Sequence, residues 1–315
     1  NLSRVIIIFT ILQKKMKNKT QNIIEILSPL SNFKNEKWKK KLDDEGYLVI
    51  QNSKYMKKYL KLLKKKSKEL IINEGDKGGW EGKERYFKEG KKFESGAQRL
   101  GGLVKKDRSF LGLITIPEII MSAYHVIKDE IKVCGLNLRN PITGSGEQSI
   151  HFDGFPRNNK KENFAGIVAF IYLDDTNIGN GAMRLIPKTH KHLGWPDDHI
   201  NINKKHKDEI RIKVKAGTIV VANLNLWHAG AKNLNGKSRR VIMMNIKNRK
   251  FDQLLNYKKY LGPKFIKSLN EEEKYLLAVR KEDKDQILDS GGSANQLRRE
   301  YFKNKSKKFT SVANN

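Results

Sequence analysis

The apolar positions of this chain change their period twice along its 315 residues. Over 35–44 and again over 54–72 they recur at helical spacing. In the second stretch Tyr55, Tyr59, Leu60, Leu62, Leu63 and Leu70 form the apolar face, with lysines on the far side. Gly46 ends the first helix ahead of Tyr47-Leu48-Val49-Ile50, which predicts a strand. Residues 74–96 are rich in glycine and charge and predict a long surface loop, of a length that is often functional. Residues 116–132 return to the helical period, with Pro117 in the first turn, where its missing N–H leaves no partner unsatisfied.

From about residue 135 the period shortens. Strands are predicted at 136–139, 148–153, 165–173, 182–186, 210–214, 218–223 and 239–246, separated by Gly, Asn-Gly and Pro turns. Short strands so divided suggest an antiparallel sandwich or barrel. Residues 251–302 are helical again, broken at Gly262-Pro263 and Gly291-Gly292, and the last dozen residues read as a frayed end. There is no internal repeat. The order predicts a mainly β core with helical flanks rather than two independent domains. Its divisions are an N-terminal extension (1–34), a core unit (35–250) and a C-terminal helical extension (251–315).

Composition changes this picture little. Hydrophobic content of 38% and 31% charged residues suit a folded, highly charged protein and argue against wholesale disorder. The net charge of +30 raises the question of a polyanionic partner. Lysines outnumber arginines 50 to 14, however, and they are scattered from Lys14 to Lys308 without aromatic interleaving. With Asn and Ile also abundant, this resembles the codon bias of an AT-rich genome, and no specific nucleic-acid binding is expected. The single Cys134 excludes an intramolecular disulfide, which agrees with a reducing, cytoplasmic setting, and reads as a small buried hydrophobe. Residues 5–12 are almost continuously apolar. That run is less than half a membrane span, and Gln13-Lys14-Lys15 stands where a cleavage site would be. Met16 opens a plausible start, so residues 1–15 are expected to be foreign to the native protein, and no membrane span is expected anywhere.

The candidate chemistry lies in Ser149-Ile150-His151-Phe152-Asp153-Gly154, answered far downstream by Trp227-His228-Ala229-Gly230. Two residues apart on an extended strand, His151 and Asp153 leave the same face. Two imidazoles and one carboxylate describe the facial triad of non-haem Fe(II) oxygenases, which leaves three adjacent positions open. By spacing alone a surface ion pair explains His151 and Asp153 as well. The reading as a metal site gains from the apolar run 218–222 before His228 and from Arg239 eleven residues after it. The other histidines read as structural. His190 and His192 lie in a turn beside Pro187, a hydrogen-bonded corner; His199 and His206 lie in a polar insertion; His125 lies on an apolar helix face.

Residues 147–153 (EQSIHFD), 171–190 (IYLDDTNIGNGAMRLIPKTH) and 216–240 (AGTIVVANLNLWHAGAKNLNGKSRR) resemble the phytanoyl-CoA dioxygenase family of Fe(II)/2-oxoglutarate-dependent oxygenases. The helix-to-strand step over 43–50 resembles that family's opening. Pro187-Lys188-Thr189-His190 and Ala216-Gly217-Thr218 depart from its usual turns without touching the chemistry. The resemblance implies a double-stranded β-helix (a cupin-like jelly roll), with 35–250 as the dioxygenase domain. It implies Fe(II) on His151, Asp153 and His228, and 2-oxoglutarate and O₂ as cosubstrates. The activity implied is an oxidoreductase that hydroxylates a small molecule and releases succinate and CO₂. Halogenating relatives lack the carboxylate that Asp153 retains. Family spacing assigns Arg239 to the distal carboxylate of 2-oxoglutarate and leaves Arg240, on the opposite face, outward. Gln148 is a candidate for a hydrogen bond to cosubstrate or substrate, or else an ordinary strand-end amide. In the loop after Asp153, Arg157 and Lys160 are candidates for holding an anionic substrate, against the plainer reading of a solvated loop.

Two alternatives stay open. A nucleic-acid- or protein-modifying oxygenase shares the H-x-D…H plan, but nucleic-acid demethylases carry a second arginine six residues after the first, where this chain has Asn245. A non-catalytic, cupin-like binding protein would keep the metal without the turnover.

Overall fold

The structure, a computed structural model, describes residues 19–79 and 96–284. The readings for residues 1–15, for most of the loop 74–96 and for the chain beyond 284 lie outside the described residues. In chain order, α1 (Lys19–Leu27), α2 (Lys37–Glu45), β1 (Tyr47–Ile50), α3 (Lys54–Glu74), β2 (Ala97–Leu100), α4 (Leu103–Lys106), α5 (Arg108–Leu111) and α6 (Pro117–Ile127) come first. The strand-rich centre holds β3 (Ile131–Pro141), β4 (Gly166–Tyr172), β5 (Met183–Leu185), β6 (Ile210–Ile212), β7 (Ile219–Asn223), β8 (His228–Ala229) and β9 (Val241–Asn248). Helices α7 (Tyr257–Lys267) and α8 (Glu271–Leu276) follow. Among the described residues no single helix is long and apolar enough to cross a membrane.

Every pairing between these strands is antiparallel. Six form one sheet in the order β1-β7-β4-β9-β3-β2, and three form a second in the order β6-β5-β8. Alternation divides the large sheet into two faces. Ile167, Ala169 and Ile171 of β4, with Ile242, Met244 and Ile246 of β9, belong to the core shared with Ile119, Ile120 and Ala123 of α6. Val168, Phe170 and Tyr172 turn the other way and join Met183, Leu185 and Ile212 of the small sheet. Burying one such side chain is worth ~2 kcal/mol. A one-residue slip would exchange the two faces, so the register is strongly determined. On β9 even positions face the helices and odd positions face the small sheet.

The expected antiparallel core with helical flanks is therefore present, with particular differences. Helix α6 stops at Ile127, five residues short of its predicted end, because Lys128 takes a left-handed conformation (φ 56°) and donates its N–H to the Tyr124 carbonyl. Strand β3 runs for 11 residues, where only 136–139 were predicted. A register shift between Val133 and Gly135, and the buried polar side chains Lys132, Asn137 and Arg139, hide the rest of it from an apolar pattern. The strand expected over 148–153 contracts to a single bridge between His151 and His228. Strand β2, four residues without clear alternation, was not anticipated. The break at Gly262-Pro263 is present as a kink inside α7, where Gly262 has φ 74°.

One buried corner ties α2 to the turn that carries His190. Helix α2 ends on Gly46, at φ 81°. A Cβ there would lie 2.4 Å from His190 Nδ1, so the corner requires glycine on both counts. His190 is 2% exposed, and its Nε2 lies 3.1 Å from the Asp43 carbonyl oxygen, which assigns the proton to Nε2. Burial, opposed by that hydrogen bond and reinforced by Lys191 and Arg157, holds its pKa down at about 4. An unfolded histidine takes a proton near 6.5, so this corner contributes its full stability above that pH and loses it as the pH falls toward 4. The unfolding free energy of the parent should therefore drop by ~3 kcal/mol more than that of His190→Gln between about pH 7 and pH 4. Equal drops by urea titration would contradict it.

Candidate active site

His151 and His228 face each other across the bridge. Each donates its backbone N–H to the other's carbonyl, at 2.9 and 2.8 Å. His228 begins β8 and is held from the other side by Leu185 of β5. After His151 the chain turns away, and the N–H groups of Asp153 and Gly154 both donate to the Leu224 carbonyl. The turn brings the Asp153 carboxylate between the rings, with Oδ1 3.9 Å from His151 Nε2 and Oδ2 3.6 Å from His228 Nε2. The three potential ligand atoms all lie within 4.8 Å of one another.

The imidazoles are oriented for coordination. Nδ1 of His151 lies 2.8 Å from the Ser149 carbonyl oxygen, and Nδ1 of His228 lies 3.0 Å from that of Leu226. A carbonyl only accepts, so each ring carries its proton on Nδ1 and directs the lone pair of Nε2 toward Asp153. Burial, with His228 pushing the same way and Asp153 opposing, lowers the His151 pKa and keeps the ring neutral. Phe170 packs edge-on to His228 with ring centroids 5.3 Å apart. Exposure rises from 6% for the His228 side chain to 24% for His151 and 33% for Asp153, so the cluster opens on the carboxylate side. Two imidazole nitrogens and one carboxylate oxygen fit a divalent transition metal with positions to spare.

The two arginines ahead of β9 go to opposite faces, as alternation predicts. Arg239 is 5% exposed and on the odd face, between the sheets, with its backbone N–H donating to Asn140 Oδ1 at 2.9 Å. Arg240 is on the helix face, and it does not point outward. It makes a bidentate pair with Asp174, Nε to Oδ2 at 2.8 Å and Nη2 to Oδ1 at 2.7 Å. Its Nη1 donates to the Lys64 carbonyl of α3 at 2.7 Å. The outward expectation fails because α3 covers that face of the sheet.

The family model for phytanoyl-CoA dioxygenase (PhyH) matches residues 42–241, well over half of the chain. The chain belongs to the PhyH family. Two relatives are the uncharacterized proteins Mb1539 of Mycobacterium bovis and Rv1501 of Mycobacterium tuberculosis. Each is 26% identical over 190 residues, covering 58% of this chain and 65% of the relative. The chain thus spans about two thirds of the length of these relatives. Among solved structures, apo HygX from Streptomyces hygroscopicus is similar, with a TM-score of 0.53 at 11% identity, over 69% of this chain and 88% of HygX. HygX with nickel and 2-oxoglutarate bound gives 0.51 at 13% identity, with the same coverage. The α-ketoglutarate-dependent carbocyclase SnoK from nogalamycin biosynthesis gives 0.51 at 15% identity, over 70% of this chain and 86% of SnoK. At these identities the likeness is one of fold.

Several segments through which the chain resembles the PhyH family turn out to hold the scaffold. Asp174 takes Arg240, while Asp175 accepts the Ala216 N–H and the Lys215 ammonium, both at 2.9 Å. Asn180 Nδ2 donates to the Asp175 carbonyl at 2.8 Å. Of the remaining candidates, Gln148 lies beside the cluster. Its Oε1 accepts the Gly230 N–H at 2.9 Å, so contact with a ligand falls to Nε2. Arg157 is 8% exposed, stacks on Phe164 at 4.4 Å and donates to the Lys160 carbonyl at 2.8 Å. It folds its own loop and does not reach outward to an anion. Three polar residues between the sheets were not anticipated, namely Asn137, Arg139 and Tyr172, all buried. Burial raises the Tyr172 pKa, with Arg239 opposing, so its hydroxyl stays protonated. Only alternation along β3 and β4, read with the full strand lengths, could have placed them.

Proposed function

We propose that this protein is an Fe(II)/2-oxoglutarate-dependent oxygenase that hydroxylates a small molecule, with His151, Asp153 and His228 as the metal ligands. The observation that carries this reading is the convergence of two Nε2 lone pairs and one carboxylate, open on one side. Family membership and the fold shared with HygX and SnoK support it. So do the two antiparallel sheets facing each other across a shared core, an arrangement we read as a double-stranded β-helix. Residues 42–241 then hold the three candidate metal ligands together with Gln148 and Arg239.

Iron held there would supply the oxidative decarboxylation of 2-oxoglutarate by O₂, giving succinate and CO₂ with one oxygen atom left for a substrate C–H bond. The chain's own part is positioning. The Ser149 and Leu226 carbonyls keep both imidazoles in the ligating tautomer. Arg239 takes the distal carboxylate of 2-oxoglutarate in the fork geometry a guanidinium allows. The choice between the arginines rests on Arg240, whose three nitrogens are already committed to Asp174 and α3. Tyr172, protonated and buried near Arg239, offers that carboxylate a further donor. Phe170 limits the motion of the His228 ring.

A small-molecule substrate is favoured over a nucleic acid by Asn245, a neutral amide where the demethylases of this superfamily carry a second arginine. HygX, of similar fold, has been seen with nickel, 2-oxoglutarate and hygromycin B bound, which supports a small-molecule ligand here. The test is succinate release from 2-oxoglutarate under air, with Fe(II), across a library of small metabolites. Stimulation by one compound class, abolished by omitting Fe(II), is expected. Iron-independent release, or none above the substrate-free background, would contradict the reading.

A further inference from the structure

The face of the large sheet that looks toward the small one is not filled along its whole length. Met243 and Asn245 lie near the middle of β9, flanked by β4 and β3, yet both are only half-buried. Side chains at a sheet centre stay accessible when they line open space. Opposite Met243 in register is Asn137 of β3, 3% exposed, whose Oδ1 is buried without a hydrogen-bond partner. A buried carbonyl oxygen in that condition is destabilising unless a ligand supplies the donor.

Further along the same face lies Lys247, 5% exposed. Among the described residues it has no ion pair, and its ammonium rests over the Phe155 ring at 5.2 Å from the centroid. Directly opposite in register stands a second buried lysine, Lys132. A buried cation is ordinarily paired, and a like charge on the adjacent strand supplies Lys247 with no counter-ion. Phe155 is fixed by its carbonyl, which accepts from Asn225 Nδ2 at 2.6 Å, and it stacks on Phe251 with centroids 5.7 Å apart. It follows Asp153 by two residues, which is at most about 7 Å of chain. The ammonium therefore lies against an aromatic wall that begins two residues after the candidate ligand Asp153.

We infer that a substrate sits against this face, and that it is a small organic oxyanion. Lys247 takes its carboxylate or phosphate, Phe155 and Phe251 pack against its apolar body, and Asn137 accepts one of its N–H or O–H groups. The role as substrate rests on the oxygenase reading above, whereas the anion site itself does not. The site replaces Arg157 and Lys160 as the holders of the anion.

The test is calorimetric titration of the full chain with inorganic phosphate and, separately, with acetate, at about physiological ionic strength, where diffuse binding to surface lysines is screened. The parent should show one saturable site for at least one of them. Lys247→Met should weaken it at least tenfold, Lys247→Arg should keep it within a few-fold, and Lys160→Met should leave it unchanged. Replacing a buried charge by an apolar side chain of similar length is usually tolerated. If the methionine variant fails to fold, Lys247→Gln, which keeps a polar end without the charge, takes its place with the same expected loss of affinity. Equal anion affinity in the parent and in Lys247→Met or Lys247→Gln would overturn the proposal. Displacement of the anion by 2-oxoglutarate would assign the lysine to the cosubstrate and overturn it too. If no Fe(II)- and 2-oxoglutarate-dependent turnover is found while Lys247-dependent binding persists, the oxygenase reading fails and the anion site stands.

Discussion

His228→Ala is expected to abolish iron binding and 2-oxoglutarate turnover while leaving the protein folded. Loss of even an outer partner of a metal ligand commonly costs 10–100-fold, so loss of a ligand should cost more than about 100-fold in succinate release. The ring is buried between Phe170 and His151, so its removal leaves a small cavity and a destabilisation of ~1–3 kcal/mol, within what a folded domain tolerates. Circular dichroism would show the parent's strand and helix content. Asp153→Ala should behave alike, since one carboxylate stands between both nitrogens. A His228→Ala protein that bound iron and turned over like the parent would remove the basis of the assignment.

The two neighbouring arginines should separate cleanly in their effects. Arg239→Ala is expected to raise the KM for 2-oxoglutarate by about 100-fold, since a charged bidentate pair in a buried pocket is worth a few kcal/mol. Its effect on stability should be modest. Arg240→Ala should do the reverse, leaving the KM near the parent's and lowering stability by about 2–3 kcal/mol. It takes the bidentate partner from the Asp174 carboxylate, only 12% exposed, which keeps Lys64 at 3.6 Å and the backbone N–H of residue 240 at 3.0 Å. Steady-state kinetics and thermal denaturation on the two variants decide it. A large KM effect from Arg240→Ala with normal stability would show that the neighbours have exchanged roles.

Much of the site was legible because its chemistry depends on residue types at short spacing. His151 and Asp153 are two residues apart, and Arg239 and Arg240 are adjacent, so alternation alone separated the faces. It could not say what covered them. That α3 lies over Arg240 is a long-range contact, joining Lys64 to a residue 176 positions away. The same limit hid the proposed anion site. Lys132, Asn137 and Lys247 are polar residues in strands whose two faces are both covered, and in a lysine-rich sequence nothing distinguishes them from solvated positions. Their burial appears only once β9 is placed between β4 and β3. The strand predicted at 148–153 was drawn too long because an apolar and polar alternation marks extended chain, whereas pairing here depends on Leu224 capturing two successive N–H groups.

The central claim is that His151, Asp153 and His228 hold iron with adjacent positions left for 2-oxoglutarate. Anaerobic titration of the full chain with Fe(II) and 2-oxoglutarate tests it most directly, since a 2-oxo acid bound through two oxygens to Fe(II) gives a weak visible charge-transfer band. The account predicts that the band develops in the parent with one equivalent of iron and is absent from His228→Ala under the same conditions. No band in a folded, iron-loaded parent, or an undiminished band in His228→Ala, would contradict it.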